Sequence, residues 1–210
     1  MSAPHAILVD FGGVLTTSVH EAFAAFGATL GDPDLPMRLL REDPESAQLI
    51  VEAECGRLED EDFETAFAAR LAAHGAEVEP AGLIRNLQAG LVPDEETLAL
   101  VAALRAGGHP VALVTNSFGR DCYEGFDLEA IADVVVVSGQ LGVRKPSRRI
   151  YTAAAEALDV PAERCIMVDD LEHNLAGAAR VGMEGVLHRS AAGTSAELRE
   201  RFGIVAAVVP

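Results

Sequence analysis

The chain has 210 residues, half of them hydrophobic, with 33 acidic against 16 basic side chains and a formal charge of −17 at pH 7. That length holds one full core with an inserted subdomain, not two large domains. The acidic excess repels phosphate backbones and anionic lipid, which argues against nucleic-acid and membrane partners, and no apolar run approaches the ~20 residues that cross a bilayer. Met1-Ser2-Ala3-Pro4-His5 has neither the basic start nor the apolar middle of a secretion signal, so a cytoplasmic location is expected. Cys55, Cys122 and Cys165 are widely spaced with no C-x-x-C pair, and they read as reduced packing residues rather than a disulfide framework or zinc site.

The first element is the apolar run Ala6-Ile7-Leu8-Val9, which ends in Asp10 and is followed by Phe11-Gly12-Gly13-Val14-Leu15-Thr16-Thr17. It reads as a buried strand with a carboxylate at its tip, the place where open α/β sheets bind ligands. Alone, an Asp before a Gly-Gly turn is more often turn chemistry than catalysis. From Ser18 to about Leu91 the pattern is helical with no convincing strand, as expected of an inserted helical unit. Its clearest piece is Asp60 to Ala73, with Phe63, Ala66, Phe67 and Leu71 on one face and Gly75 as a stop. Core packing is the favoured use of those aromatics over the lining of a cavity.

From Pro93 onward helix and strand signals alternate, the pattern of a parallel sheet with crossover helices. A helix over Asp94 to Arg105 closes at Gly107-Gly108, and the strand Val111-Ala112-Leu113-Val114 runs into Thr115-Asn116-Ser117. After the β-branched run Val134 to Val137 comes the loop Gly142-Val143-Arg144-Lys145-Pro146, with Ser147 as the cap of a helix carrying Ile150, Ala154 and Leu158. Cys165-Ile166-Met167-Val168 ends in Asp169-Asp170, and a helix over Leu171 to Val181 stops at Gly182. A short strand near Gly185-Val186-Leu187 and a helix over Thr194 to Phe202 complete the series.

An Asp, a Thr, a Lys-Pro and a pair of Asp residues, in that order and each at a strand end or loop, resemble the haloacid dehalogenase superfamily of phosphohydrolases. The resemblance runs from Ala6 to about Leu187. It implies an α/β fold, a doubly wound parallel sheet, with a helical cap. The core is then 1–17 and 92–210, and the cap is 18–91. Asp10 is implied as the nucleophile that attacks phosphorus, giving an aspartyl phosphate that water hydrolyses. Thr115 and Asn116 are implied as donors to the phosphoryl group, and Lys145 as its counter-charge.

A phosphate dianion and Asp10 repel each other by about 4 kcal/mol per pair of charges at ~4 Å and an effective dielectric near 20. Positive charge is therefore needed beyond Lys145. Asp10, the Gly12 carbonyl, Asp170 and Asp169 are the expected metal ligands, with Asp170 ranked above Asp169. An all-oxygen set suits Mg²⁺ better than Zn²⁺. As a structural alternative, one of the Asp pair serves as a helix N-cap. Asn174, one turn along, is placed to orient the pair or Lys145.

One position departs from the superfamily pattern. Most of its phosphatases have a second Asp two residues after the nucleophile, acting as general acid and base, where this chain has Gly12. Such catalysis contributes about 10²–10⁴-fold, so substrates with acidic leaving groups need its loss repaired least. A branch with glycine there and an Asp-Asp-x-x-x-Asn motif includes sugar 1-phosphate phosphatases, and a sugar phosphate is the first expectation. Thr16, Thr17, His20 and His173 are nearby proton carriers, and none is assigned a role. The leading expectation is a Mg²⁺-dependent phosphatase of a small phosphorylated metabolite. Two alternatives stand beside it: a 2-haloacid dehalogenase, against which Asp169-Asp170 argues, and a degenerate protein that binds a phosphorylated ligand without turnover. A receiver domain is set aside because its acidic pair precedes the other motifs. Nothing in the pattern fixes an oligomeric state.

Overall fold

The computed structural model describes residues 5–207. Strand β1 (Ala6–Val9) is followed by helices α1 (Val19–Thr29), α2 (Leu35–Glu42), α3 (Pro44–Glu54), α4 (Asp60–Ala73) and α5 (Leu83–Gln88). Then come α6 (Glu95–Ala106), β2 (Val111–Thr115), α7 (Leu128–Ile131), β3 (Val134–Val137), α8 (Ser138–Leu141) and α9 (Arg148–Ala157). The chain continues through β4 (Cys165–Asp169), α10 (Glu172–Ala179), β5 (Glu184–Leu187) and α11 (Ala191–Phe202).

The strands form one parallel sheet in the order β3-β2-β1-β4-β5, with β1 in the middle. The chain builds outward from β1 through β2 to β3, then returns to lay β4 on the other side of β1. That reversal makes the carboxyl ends of β1 and β4 a topological switch point, where the flanking loops part and leave a crevice. Alternation along each strand explains why it is apolar throughout. Ile7, Val9, Leu113 and Val168 face one buried layer, with Leu104 and Leu198. Leu8, Val114 and Met167 face the other, with Ile150 and Tyr151.

The helices between β1 and α6 pack around a hydrophobic cluster of their own, in which Phe63, Phe67, Leu71, Leu83 and Leu87 are fully buried. The α4 aromatics thus serve packing. Two connections join this unit to the sheet side by side: the Thr17 N–H donates to the Val92 carbonyl at 2.9 Å, and the Asp94 N–H donates to the Leu15 carbonyl at 2.9 Å. The seam is tightest at Gly56, where an added Cβ would collide with the Gly139 carbonyl oxygen at the start of α8.

Several expected helix ends move. Ser147 holds the N-cap position of α9, but its side chain makes no capping bond. The helix expected over Leu171 to Val181 is shorter, because Leu171 stays extended and its N–H turns back to the Asp169 side chain. The last helix begins at Ala191, ahead of Thr194, because Ser190 Oγ accepts the Gly193 N–H at 3.2 Å and starts it early. Asp94, expected as the first residue of α6, is instead its N-cap, accepting the Thr97 N–H at 2.9 Å.

Candidate active site

The carboxyl ends of β1, β2 and β4 bring together most of the side chains singled out in the sequence. Asp10 follows β1, and its N–H continues the sheet by donating to the Val168 carbonyl at 3.0 Å. Its Oδ1 accepts the Phe11 N–H at 2.7 Å and pairs with Lys145 Nζ at 2.6 Å. Lys145 Nζ also reaches Asp169 Oδ2 at 2.8 Å. Lysine is rarely buried unless paired. Lys145 is 1% exposed, so the two carboxylates hold its charge in the interior. Burial works against that charge, but Asp10 and Asp169 outweigh it and the ammonium pKa is raised.

The two adjacent aspartates divide the work. Asp169 is fully buried and saturated: it takes Lys145, the Leu171 N–H at 2.9 Å, and the Asn174 amide at 3.0 and 3.1 Å. Neither aspartate is the N-cap of α10, a position that Leu171 holds without a side-chain capping bond, and Asn174 orients Asp169. Asp170 keeps a buried Oδ1 with no partner among the described residues. An added Cβ at Gly13 would fall 2.5 Å from Asp170 Oδ2, so only glycine, here at φ +76°, lets this carboxylate lean over the first loop.

Asp10, Asp169 and Asp170 each offer one carboxylate oxygen, and these atoms all lie within 4.8 Å of one another. Three carboxylates face one ammonium. Burial, and then Asp169, push Asp10 up to about 8 against the pull of Lys145. Burial and Asp169 likewise raise Asp170. The cluster thus has an excess of hard oxygen ligands, an orphaned buried oxygen and a glycine cradle, and an oxygen-seeking divalent cation fits it.

Thr115, at the tip of β2, is 2% exposed, and its hydroxyl sits 3.3 Å from Tyr123 Oη. Asn116 has a structural task of its own. Its side chain is committed to the Lys145 backbone, accepting the N–H at 2.8 Å and donating to the carbonyl at 3.4 Å, so it positions the lysine loop. His20 and His173 are exposed at the rim of the cavity over the site.

Other participants carried no sequence signal. Tyr151 Oη donates to the Asn174 carbonyl at 2.7 Å and braces α10. Glu54, the last residue of α3, enters the cavity from above and pairs with Arg144 Nε at 2.7 Å. Burial pushes the Glu54 carboxyl up to about 7 against the opposing Arg144 and Lys145 charges. Its carbonyl accepts from the hydroxyls of Ser117 and Ser138. A glutamate at a helix end far from every motif looks like any surface residue until the tertiary fold turns it inward.

A family model described as haloacid dehalogenase-like hydrolase matches residues 4–182. The chain belongs to that family. Among curated relatives of this haloacid dehalogenase-like hydrolase, sesquiterpene phosphatase astK of Aspergillus oryzae is 28% identical over 153 residues, covering 71% of this chain and 77% of the relative. GMP/IMP nucleotidase YrfG of Escherichia coli is 33% identical over 92 residues, 42% of this chain and 41% of that protein's length. Of solved structures, the HAD family enzyme BT-2542 from Bacteroides thetaiotaomicron superposes with a TM-score of 0.68 at 18% identity, covering 90% of this chain and 95% of the other. That protein has also been crystallised with magnesium and inorganic phosphate. L-2-haloacid dehalogenases share the fold as well. No helix among the described residues is long and apolar enough to cross a membrane.

Proposed function

We propose that this hydrolase is a Mg²⁺-dependent phosphatase that cleaves a small phosphorylated metabolite through an aspartyl phosphate on Asp10. The observation that carries the reading is the grouping of Asp10, Lys145, Asp169 and Asp170 at the switch point, with Asp170 Oδ1 left over. A protein that only bound a phosphate ester would gain nothing from an excess of buried carboxylate facing an anion.

Asp10, the Gly12 carbonyl and Asp170 would hold the metal, with Asp169 completing or supporting the set. When bound, the ion supplies two positive charges to the phosphoryl group and holds Asp10 ionised against its raised pKa. Asp10 attacks phosphorus, the P–O ester bond breaks, and the alcohol oxygen departs with the bonding pair. Water then attacks the acyl phosphate, releasing inorganic phosphate and restoring the carboxylate. Lys145 stabilises charge on the transferring group, and Thr115 donates to one of its oxygens. The helices of 18–91 act as a lid on the core of 1–17 and 92–210. They exclude water and choose the substrate.

The relatives named as a sesquiterpene phosphatase and a nucleotidase support phosphomonoester chemistry. Magnesium and phosphate in the BT-2542 crystals support the cation. The test is phosphate release from a panel of phosphomonoesters in Mg²⁺ and in chelator, for the native chain and Asp10→Asn. Metal-dependent release lost in the variant sustains the proposal. Halide release from 2-chloropropionate in chelator would replace it with the dehalogenase reading. Silence on every substrate, with a phosphate ester still bound, would move it to a binding protein.

A further inference from the structure

Resting on the phosphatase reading, we infer that this site takes the phosphate ester of an apolar alcohol, an aryl ester foremost, in place of the sugar phosphate expected from the sequence resemblance. Polar and apolar side chains are unevenly distributed around the cavity of about 350 Å³ above Asp10. Its floor, formed by the sheet ends, is polar: Asp10, Thr115, Lys145, Asp170 and Asn174. Its ceiling, formed by the lid, is mostly hydrocarbon: Val19, Phe23, Met37, Leu40, Ile50 and Leu91. Phe11 and Phe118 extend that apolar wall from the core side.

The polar lid residues that reach the cavity are four, and two of them lie at its edge. Gln88 Nε2 donates to the Phe118 carbonyl at 2.6 Å, and Glu54 is paired with Arg144. His20 and Arg41 are exposed at the rim. A sugar buried here would find few free partners for its hydroxyls, and a buried hydroxyl without a partner disfavours binding. An apolar body has the opposite fit. Val19, Met37, Leu40, Ile50 and Leu91 are only half-buried, so each keeps apolar surface that a hydrophobic ligand would cover.

Position 12 points the same way by a separate route. An added Cβ at Gly12 would lie 2.7 Å from Val19 Cγ2, so a methyl group of α1 stands where an acidic side chain would rise toward the leaving oxygen. The departing group receives no proton from that direction. Aryl esters, which leave as weakly basic phenoxides, need that proton least.

The experiment compares kcat/KM in Mg²⁺ for 1-naphthyl phosphate, octyl phosphate, methyl phosphate, glucose 1-phosphate and glucose 6-phosphate. The expected order is naphthyl, then octyl, then the rest, with naphthyl at least about tenfold above either sugar ester, a gap that a few methylenes of apolar contact can supply. The near-isosteric Met37→Gln variant is expected to lower the octyl-to-methyl ratio severalfold, chiefly through KM. Sugar esters cleaved as well as or better than both apolar esters would overturn the inference and leave the phosphatase reading standing. An octyl-to-methyl ratio near one in the native chain, or one unchanged by Met37→Gln, would also overturn it. Release from no ester at all would instead defeat the phosphatase reading. Octyl ahead of naphthyl would keep the apolar pocket and refute the aryl preference.

Discussion

The floor and the ceiling of this cavity are built on opposite principles. On the floor most polar side chains are fixed by several partners, Asp170 excepted: Lys145 lies between two carboxylates, Asp169 is held by Asn174, and Asn174 is braced by Tyr151. The ceiling is a set of half-buried apolar side chains on helices with a core of their own, packed against the sheet side along a seam that includes Gly56 and Gly139. Reaction geometry demands the first arrangement, because a misplaced charge costs far more than a misplaced methyl group. The proposed role in selecting a substrate would permit the second, since apolar contact is non-directional and changes without disturbing the chemistry.

The most severe way to break that contrast is on the floor. Asp10→Asn is expected to lower kcat for phosphate release by on the order of 10⁴-fold or more while the melting temperature in chelator stays level or rises, since the change removes one of three crowded carboxylates. Next comes Lys145→Met, which leaves buried carboxylates without their ammonium. Urea titration in chelator is expected to show a loss of about 3–5 kcal/mol, partly restored by Mg²⁺. A loss unaffected by Mg²⁺ would argue that the ion and the lysine do not share the same charges.

At the seam, Gly56→Ala would force a Cβ against the Gly139 carbonyl and place alanine at φ +68°. A cost of about 2–4 kcal/mol is expected. Amide exchange should rise in α3 and leave β1 and β4 protected, because the seam fails before the sheet does.

The smallest effect concerns Glu54, whose carboxyl rises from 4.5 to about 7 on burial. The folded state then binds more protons than the unfolded state between those values, so this residue makes stability fall as pH rises through that window. Relative to Glu54→Gln, the native chain is expected to lose up to about 3 kcal/mol between pH 4 and pH 8. Parallel stability curves for the two proteins would show that the seam admits water and the carboxyl titrates normally.

Asp10, Thr115, Lys145 and the Asp169-Asp170 pair were legible in the sequence because each ends a short apolar run or marks a loop beside one, and a strand tip is a place that local pattern can name. The ranking of Asp170 above Asp169 rests on resemblance, and that Asp170 is the freer carboxylate is visible only in the folded chain, where Asp169 has spent its oxygens on Lys145, Leu171 and Asn174. Asn116 shows the limit from the other side. Its place in the motif implies a phosphate donor, and only the folded chain shows that its side chain also holds the backbone of a residue 29 positions away.

Strand periodicity and motif order alone determined the parallel sheet, the helical insertion and the residues at the strand ends, because these depend on which neighbours along the chain are apolar. Only the tertiary structure decided that Glu54 faces inward beside Arg144, that Val19 fills the space above Gly12, and that the helices after β1 turn hydrocarbon toward the cavity over Asp10. Those are contacts between helices and loops distant in sequence, set by how the helices pack on one another and on the sheet, and no local pattern of residues encodes them.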